Sequence, residues 1–133
     1  MKIYRIENSE GRGVFCHSNR IATLIQRMVI EEVSPLGKKY TCVHPVPSMD
    51  SRLQYQMKVK DHCMYYMVFG FSSINQLKMW FSSDKVKQFI HDQGFQVSVY
   101  DIPPKLYSKG DTQVVFYRDE HDSPIKVFDI IDI

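Results

Sequence analysis

One stretch constrains the fold of this chain more than any other: "MYYMVFGFSSINQLKMWF", residues 64–81. Its first part, "MYYMVFGF" (64–71), is an apolar run of strand length and reads as a buried strand. Its second part changes period. Ser73 followed by Gln76 has the form of a capping box, in which the serine hydroxyl accepts from the N3 amide and the glutamine bonds back. Ile74, Leu77 and Phe81 then form the buried side of a helix. The backbone must therefore pass from sheet to helix at Ser72–Ser73.

The rest of the chain is read around that switch. "KIYRI" (2–6) alternates and is rich in β-formers, a first strand, and "ENSEGRG" (7–13) is a glycine-punctuated turn. "SNRIATLIQRMVIEEV" (18–33) has the clearest helical stripe, with Ile21, Leu24, Ile25, Met28 and Val29 on one side and Ser18 as its cap. "SPLG" (34–37) ends it. "VHPVPSMD" (43–50) has too much proline for a helix interior or a central strand. "LQYQMKVK" (53–60) alternates like an edge or exposed strand. "SSDKVKQFIHDQG" (82–94) restarts a helix with Val86, Phe89 and Ile90 inward and Gly94 at its end. "FQVSVYDI" (95–102) and "TQVVFY" (112–117) read as strands separated by the loop "PPKLYSKGD" (103–111). After the polar turn "RDEHDSP" (118–124), "IKVFDIIDI" (125–133) closes the chain. Helices fall early and strands late, so the expected class is α+β, a single domain over residues 1–133 with a mixed or antiparallel sheet and about three helices.

Totals matter for what they exclude. The 133 residues suit one domain with a real core. A formal net charge of +2 from 17 basic and 15 acidic residues is too balanced for nucleic-acid binding by bulk field. Three cysteines, Cys16, Cys42 and Cys63, argue against a disulfide framework and for a reducing compartment. No apolar run approaches membrane-spanning length, and the N-terminus turns polar at once, so a cytoplasmic protein is expected.

The candidate chemistry is sparse. The pairs Cys16–His17, Cys42 with His44, and His62–Cys63 have donor types suited to zinc, but none has the spacing of a zinc site. No metal is expected. His44 and Asp50 sit on a proline-stiffened loop that can preorganise polar groups, or simply connect two elements. Arg5 lies within the first strand on the same side as Ile3. It reads either as a satisfied edge charge or as a group reaching a phosphate. Ser72 and Ser73 likewise have two readings, a strand end with a helix cap, or a cap that also faces a ligand.

Taken in order, "YRIENSEGRGVF", "HPVPSMD", "FGFSSINQLKMWF" and "QVVF" resemble a family of small bacteriophage proteins. Its pattern is Tyr-Arg-Ile-Glu with a Gly-x-Gly turn, a His-Pro segment, Gly-Phe-x-Ser before a helix ending in Trp-Phe, and Gln-Val-Val-Phe. A more distant likeness is to ADP-ribosyltransferases of the Arg–Ser–Glu class. That likeness implies a pocket for NAD or a related nucleotide, with Arg5 on the phosphates and Ser72 or Ser73 at the nicotinamide ribose. Gln113 then stands at the third position, Tyr4, Phe71 or Trp80 form aromatic walls, and His44 and Asp50 lie nearby. The usual glutamate is missing at the third position, where Gln113 and then Val115 stand. An amide cannot offer the charge that stabilises an oxocarbenium-like transition state, unless Glu7 or Asp50 substitutes. The resemblance thus implies a phage protein that binds a nucleotide and acts on the host or its defences. The competing expectation is a non-catalytic phage protein that binds and blocks a host protein, with the polar turn 118–124 and the irregular segment 38–64 as its contact surfaces. Self-association through an apolar C-terminal edge strand is a further expectation.

Overall fold

The computed structural model describes residues 1–14, 47–119 and 122–133. The helix expected at 18–33 lies outside these residues, as do His44, Cys16, His17 and Cys42. The described chain is α+β, with two antiparallel three-stranded sheets and three α-helices.

The first sheet has the order β1–β3–β6. β1 (Lys2–Glu7) pairs along its whole length with β3 (Gln96–Asp101), placing Ile3 opposite Tyr100 and Arg5 opposite Ser98. β6 (Lys126–Phe128) forms the outer edge on the other side of β3. The second sheet has the order β2–β5–β4, from β2 (Met67–Gly70), β4 (Tyr107–Lys109) and β5 (Val114–Tyr117). A single bridge joins the sheets. Tyr4 and Phe71 exchange backbone hydrogen bonds of 2.8 and 2.7 Å. The approach is close at Gly70, where a Cβ would stand 2.8 Å from the Tyr4 carbonyl and 2.8 Å from Ile3. Glycine is therefore required there by space.

The apolar contacts set the order of the layers. Ile6 and Val97 on one face of the first sheet pack with Leu77, Trp80, Phe81, Val86 and Ile90. These come from α2 (Ile74–Trp80), its end, and α3 (Asp84–Asp92). On the opposite face, Ile3 and Tyr100 meet Val114 and Phe116 of the second sheet. The far side of that sheet, through Met67 and Val115, is covered by Leu53 and Met57 of α1 (Ser51–Val59). The two sheets thus lie between α2 and α3 on one side and α1 on the other, each burying one stripe or face.

Both helices read from the pattern around the switch are present. Ser73 caps α2 by accepting from the Gln76 amide, and Ser83 caps α3 by accepting from the Val86 amide. The segment 53–60 differs from its reading as a strand, because it belongs to α1. Leu53 and Met57 are spaced four apart and both are buried, while Tyr55 and Val59 face solvent. The alternation of apolar and polar residues satisfied period two and the i, i+4 spacing at once. The Asp50 cap decided for helix, its carboxylate accepting from the Leu53 amide. The loop at 103–111 also contains more order than expected: a 3-10 turn (Pro104–Leu106) and then β4.

Candidate functional site

Arg5 and Glu7 are two apart on β1 and so share a face, the one that looks toward the second sheet. Both are nearly covered, at 6% and 3% exposure. A bare charge cannot remain in such a place, so each needs partners. Arg5 Nε donates to Glu7 Oε2 at 2.9 Å, its Nη1 to the Phe69 carbonyl at 2.7 Å, and its Nη2 to the Gly11 carbonyl at 3.3 Å. Glu7 also accepts from Arg118, just beyond β5, and from the Tyr100 hydroxyl on β3. Arg118 Nη2 reaches the same Gly11 carbonyl at 3.0 Å.

The Gly-x-Gly turn is the lid of this cluster. Asn8 Oδ1 accepts from the amides of Glu10 and Arg12, which folds the chain back over the two guanidiniums. Gly11 has φ near +79°, and a Cβ on it would stand 2.9 Å from Arg118 Nη2. A Cβ on Gly13 would stand 2.9 Å from Arg5 Nη2. Gly11 is required by its left-handed backbone, and a side chain at either glycine would have to push aside the guanidinium beneath it.

The electrostatics follow from burial. Desolvation pulls the Arg5 guanidinium below its ordinary value, with Glu7 opposing and Arg118 adding to the drop. For Arg118, burial also acts downward, but Glu7 and the Tyr100 hydroxyl outweigh it and the net shift is upward. Burial and the neighbouring Glu7 push the Tyr100 phenol up, which keeps its proton available for donation. The cluster holds two cations on one carboxylate through a network of charge-assisted bonds.

Three of the segments named from the sequence do converge. The Tyr4–Phe71 bridge sets β1 beside the end of β2, and β5 runs beside β2 with Val114 opposite Gly70. Arg5, Ser72 and Gln113 therefore lie on neighbouring strands or at their ends. Their side chains are engaged within the protein. The Ser72 amide and hydroxyl donate to Gln76 Oε1 at 2.8 and 3.3 Å, while Gln76 Nε2 donates to the Asp111 carbonyl at 3.1 Å. Gln113 is buried at 1% exposure. Phe71 is fully buried, and Tyr4 packs against the same core. Trp80 also lies in it, with its indole donating to the Thr112 carbonyl.

Asp50 meets this convergence at Asp111 and Thr112, the residues before Gln113. Its carboxylate accepts from the amides of Leu53, Asp111 and Thr112 and from the Thr112 hydroxyl. Burial acts to raise its pKa, but these hydrogen bonds outweigh it and hold the carboxyl below its ordinary value. Gly110 makes room, since a Cβ there would lie 2.4 Å from Asp50 Oδ2.

Sequence reasoning missed Tyr100 and Arg118, which come from distant strands. α1 lies within the 38–64 segment expected as a contact surface, but the apolar stripe on its outer face was not legible while 53–60 read as a strand. Four of the nine large apolar side chains exposed among the described residues fall on α1 and the turn after it, Tyr55, Val59, Tyr65 and Tyr66, and Met49 lies in the 3-10 turn just before α1. Tyr65 and Tyr66 are 87% and 71% exposed and pack edge to face on each other. Tyr55 and Val59 are spaced four apart on α1, a signal that was present in the sequence once that segment was taken as helix. The same end of the molecule is tied to the 103–109 loop. Lys60 Nζ donates to the carbonyls of Pro104 and Tyr107, and His62 bonds Ser108 and the Lys105 carbonyl.

Among the described residues, no group of three or more His, Cys, Asp or Glu side chains is placed to hold a metal. No helix there is long and apolar enough to cross a membrane. A family model described as Bacteriophage T4 Y00F protein matches residues 1–130. No curated protein and no solved structure matches the chain.

Proposed function

The chain belongs to the Bacteriophage T4 Y00F protein family, and from that premise we propose a phage-type protein that binds and inhibits a protein in the cytoplasm of the infected bacterium, without catalysis. The observation that supports this reading is the exposed face of α1 and the turn after it. Large apolar side chains gathered at one place on a surface mark interaction sites, whereas single ones are ordinary. Tyrosine and methionine are favoured in interface cores. Neither Tyr65 nor Tyr66 belongs to any of the three core clusters. Replacing both by serine is expected to leave the melting temperature nearly unchanged, within about 0.5 kcal/mol of stability. The same change should abolish retention of the host partner in affinity capture from infected cells. Identical capture by both proteins would overturn the reading.

A second reading, nucleotide binding as in the ADP-ribosyltransferases, is supported by the convergence of β1, β2 and β5. It requires NAD or a related nucleotide to replace bonds that Arg5 already makes to Glu7, Phe69 and Gly11. A ligand that does so at a hundred times its dissociation constant would add about 2.7 kcal/mol of stability. A thermal titration with NAD, ADP-ribose and cyclic ADP-ribose decides it. This reading expects a raised melting temperature that Arg5→Lys reduces, and an unchanged temperature with all three ligands rejects it.

A further inference from the structure

We infer that the partner surface met by α1 is acidic as well as apolar. The inference rests on the protein-binding reading and adds the chemistry of the other side. Tyr55 and Val59 on α1 and Tyr65 and Tyr66 after it are exposed apolar groups, and the same stretch of chain and the segment fastened to it carry basic side chains. Arg52 and Lys58 are exposed on α1 itself, Lys105 is exposed on the 3-10 turn that Lys60 and His62 fasten to the end of that helix, and Lys109 is exposed at the end of β4. Acidic groups at this end are fewer. Asp50 is buried and taken up by the cap, and Asp111 pairs with Arg52 at 3.4 Å. Asp61 is exposed and unlike its neighbours. Residues 51–60 contain three basic residues and no acidic one, and residues 103–109 contain two and none.

The composition is that of an interface, with exposed apolar and aromatic groups and a mostly basic rim. Such a rim selects partners of opposite charge and speeds their approach. Lys60 is held in place by two carbonyls and lies 4.6 Å from the centre of the Tyr107 ring, so part of the positive field is fixed before binding. A protein partner fits better than single-stranded nucleic acid. The whole chain has a net charge of only +2, too little for nucleic-acid binding by bulk field.

Full-length 15N-labelled protein titrated with three probes tests this. The probes are a peptide of alternating glutamate and phenylalanine or leucine, its lysine counterpart, and an oligothymidine strand. The acidic peptide is expected to shift amide resonances in residues 55–60, 64–66 and 105–109. Rising salt should weaken the effect, and Lys58→Glu/Lys105→Glu should reduce affinity about tenfold or more. Equal shifts from both peptides would overturn the acidic inference and leave the protein-binding reading standing. Tighter binding of oligothymidine at the same residues, or no shift from the acidic peptide, would also overturn it. Loss of host capture by the tyrosine variant is a separate result, so failure of the wider reading is seen independently.

Discussion

Glu7→Gln is expected to destabilise the protein by about 3–5 kcal/mol, the usual cost of removing one member of a buried ion group. The cost comes from what remains. Arg5 and Arg118 would face each other across a neutral amide, both covered by the Gly11 turn. The Tyr100 hydroxyl would also lose its ionised acceptor. For a chain of this length, such a loss lowers the melting temperature by roughly 10–20 °C. Calorimetry checks it directly. A loss below about 1 kcal/mol would mean that water reaches the cluster and screens it as it does a surface pair. The double variant Glu7→Gln/Arg5→Met should recover part of the loss, since it removes one stranded cation.

Asp50 carries the second large effect. Asp50→Ala removes the cap of α1, worth about 1 kcal/mol. It also leaves buried donors on Thr112 without their acceptor, at about 1–3 kcal/mol. Asp50→Asn separates the two contributions. Its remaining oxygen can still serve the Leu53 and Asp111 amides, but its NH2 would confront the Thr112 donors. Denaturant unfolding should therefore rank wild type above Asn, and Asn above Ala. The pH dependence has a definite sign. The carboxyl of Asp50 is held below its ordinary value in the folded state, so its stabilisation is fully present above the unfolded carboxylate pKa. It is lost as the pH falls through the folded value. Wild type should lose stability in acid more steeply than Asp50→Asn, and parallel curves would refute the assignment.

The sequence was most legible where one local rule acted alone. Ser73 with Gln76 and Ser83 with Val86 specify their helix starts by chemistry within four residues. β3 showed plainly because its alternation is flanked by Gly94 and Pro103. The segment 53–60 misled because Leu53, Tyr55, Met57 and Val59 fit a strand and a helix equally well. Only Asp50 reaching forward to Leu53, and across to Thr112, settled it. Asp50 was singled out for a ligand loop, and its place shows why polar residues on proline-rich segments are ambiguous. A buried cap and a binding group use the same atoms. Arg5 was legible as a charge needing a partner. Its partner on the same strand face, Glu7, was within reach of the period-two rule, whereas Tyr100 and Arg118 required the tertiary fold. The surface of α1 was hidden for the same reason as the helix itself.

The pairing of β1 with β3 has a consequence for how the chain is made. Ile3 leaves the ribosome 97 residues ahead of Tyr100, its partner across the sheet. At about 5–20 residues per second, the first strand waits several seconds without its neighbour. Contacts so distant in sequence also make folding slow. During that interval Arg5 and Glu7 stand in water, and with Lys2 they keep the strand of Ile3, Tyr4 and Ile6 soluble until the sheet can receive it. The charges that the finished protein must bury at a cost thus act as gatekeepers during its synthesis.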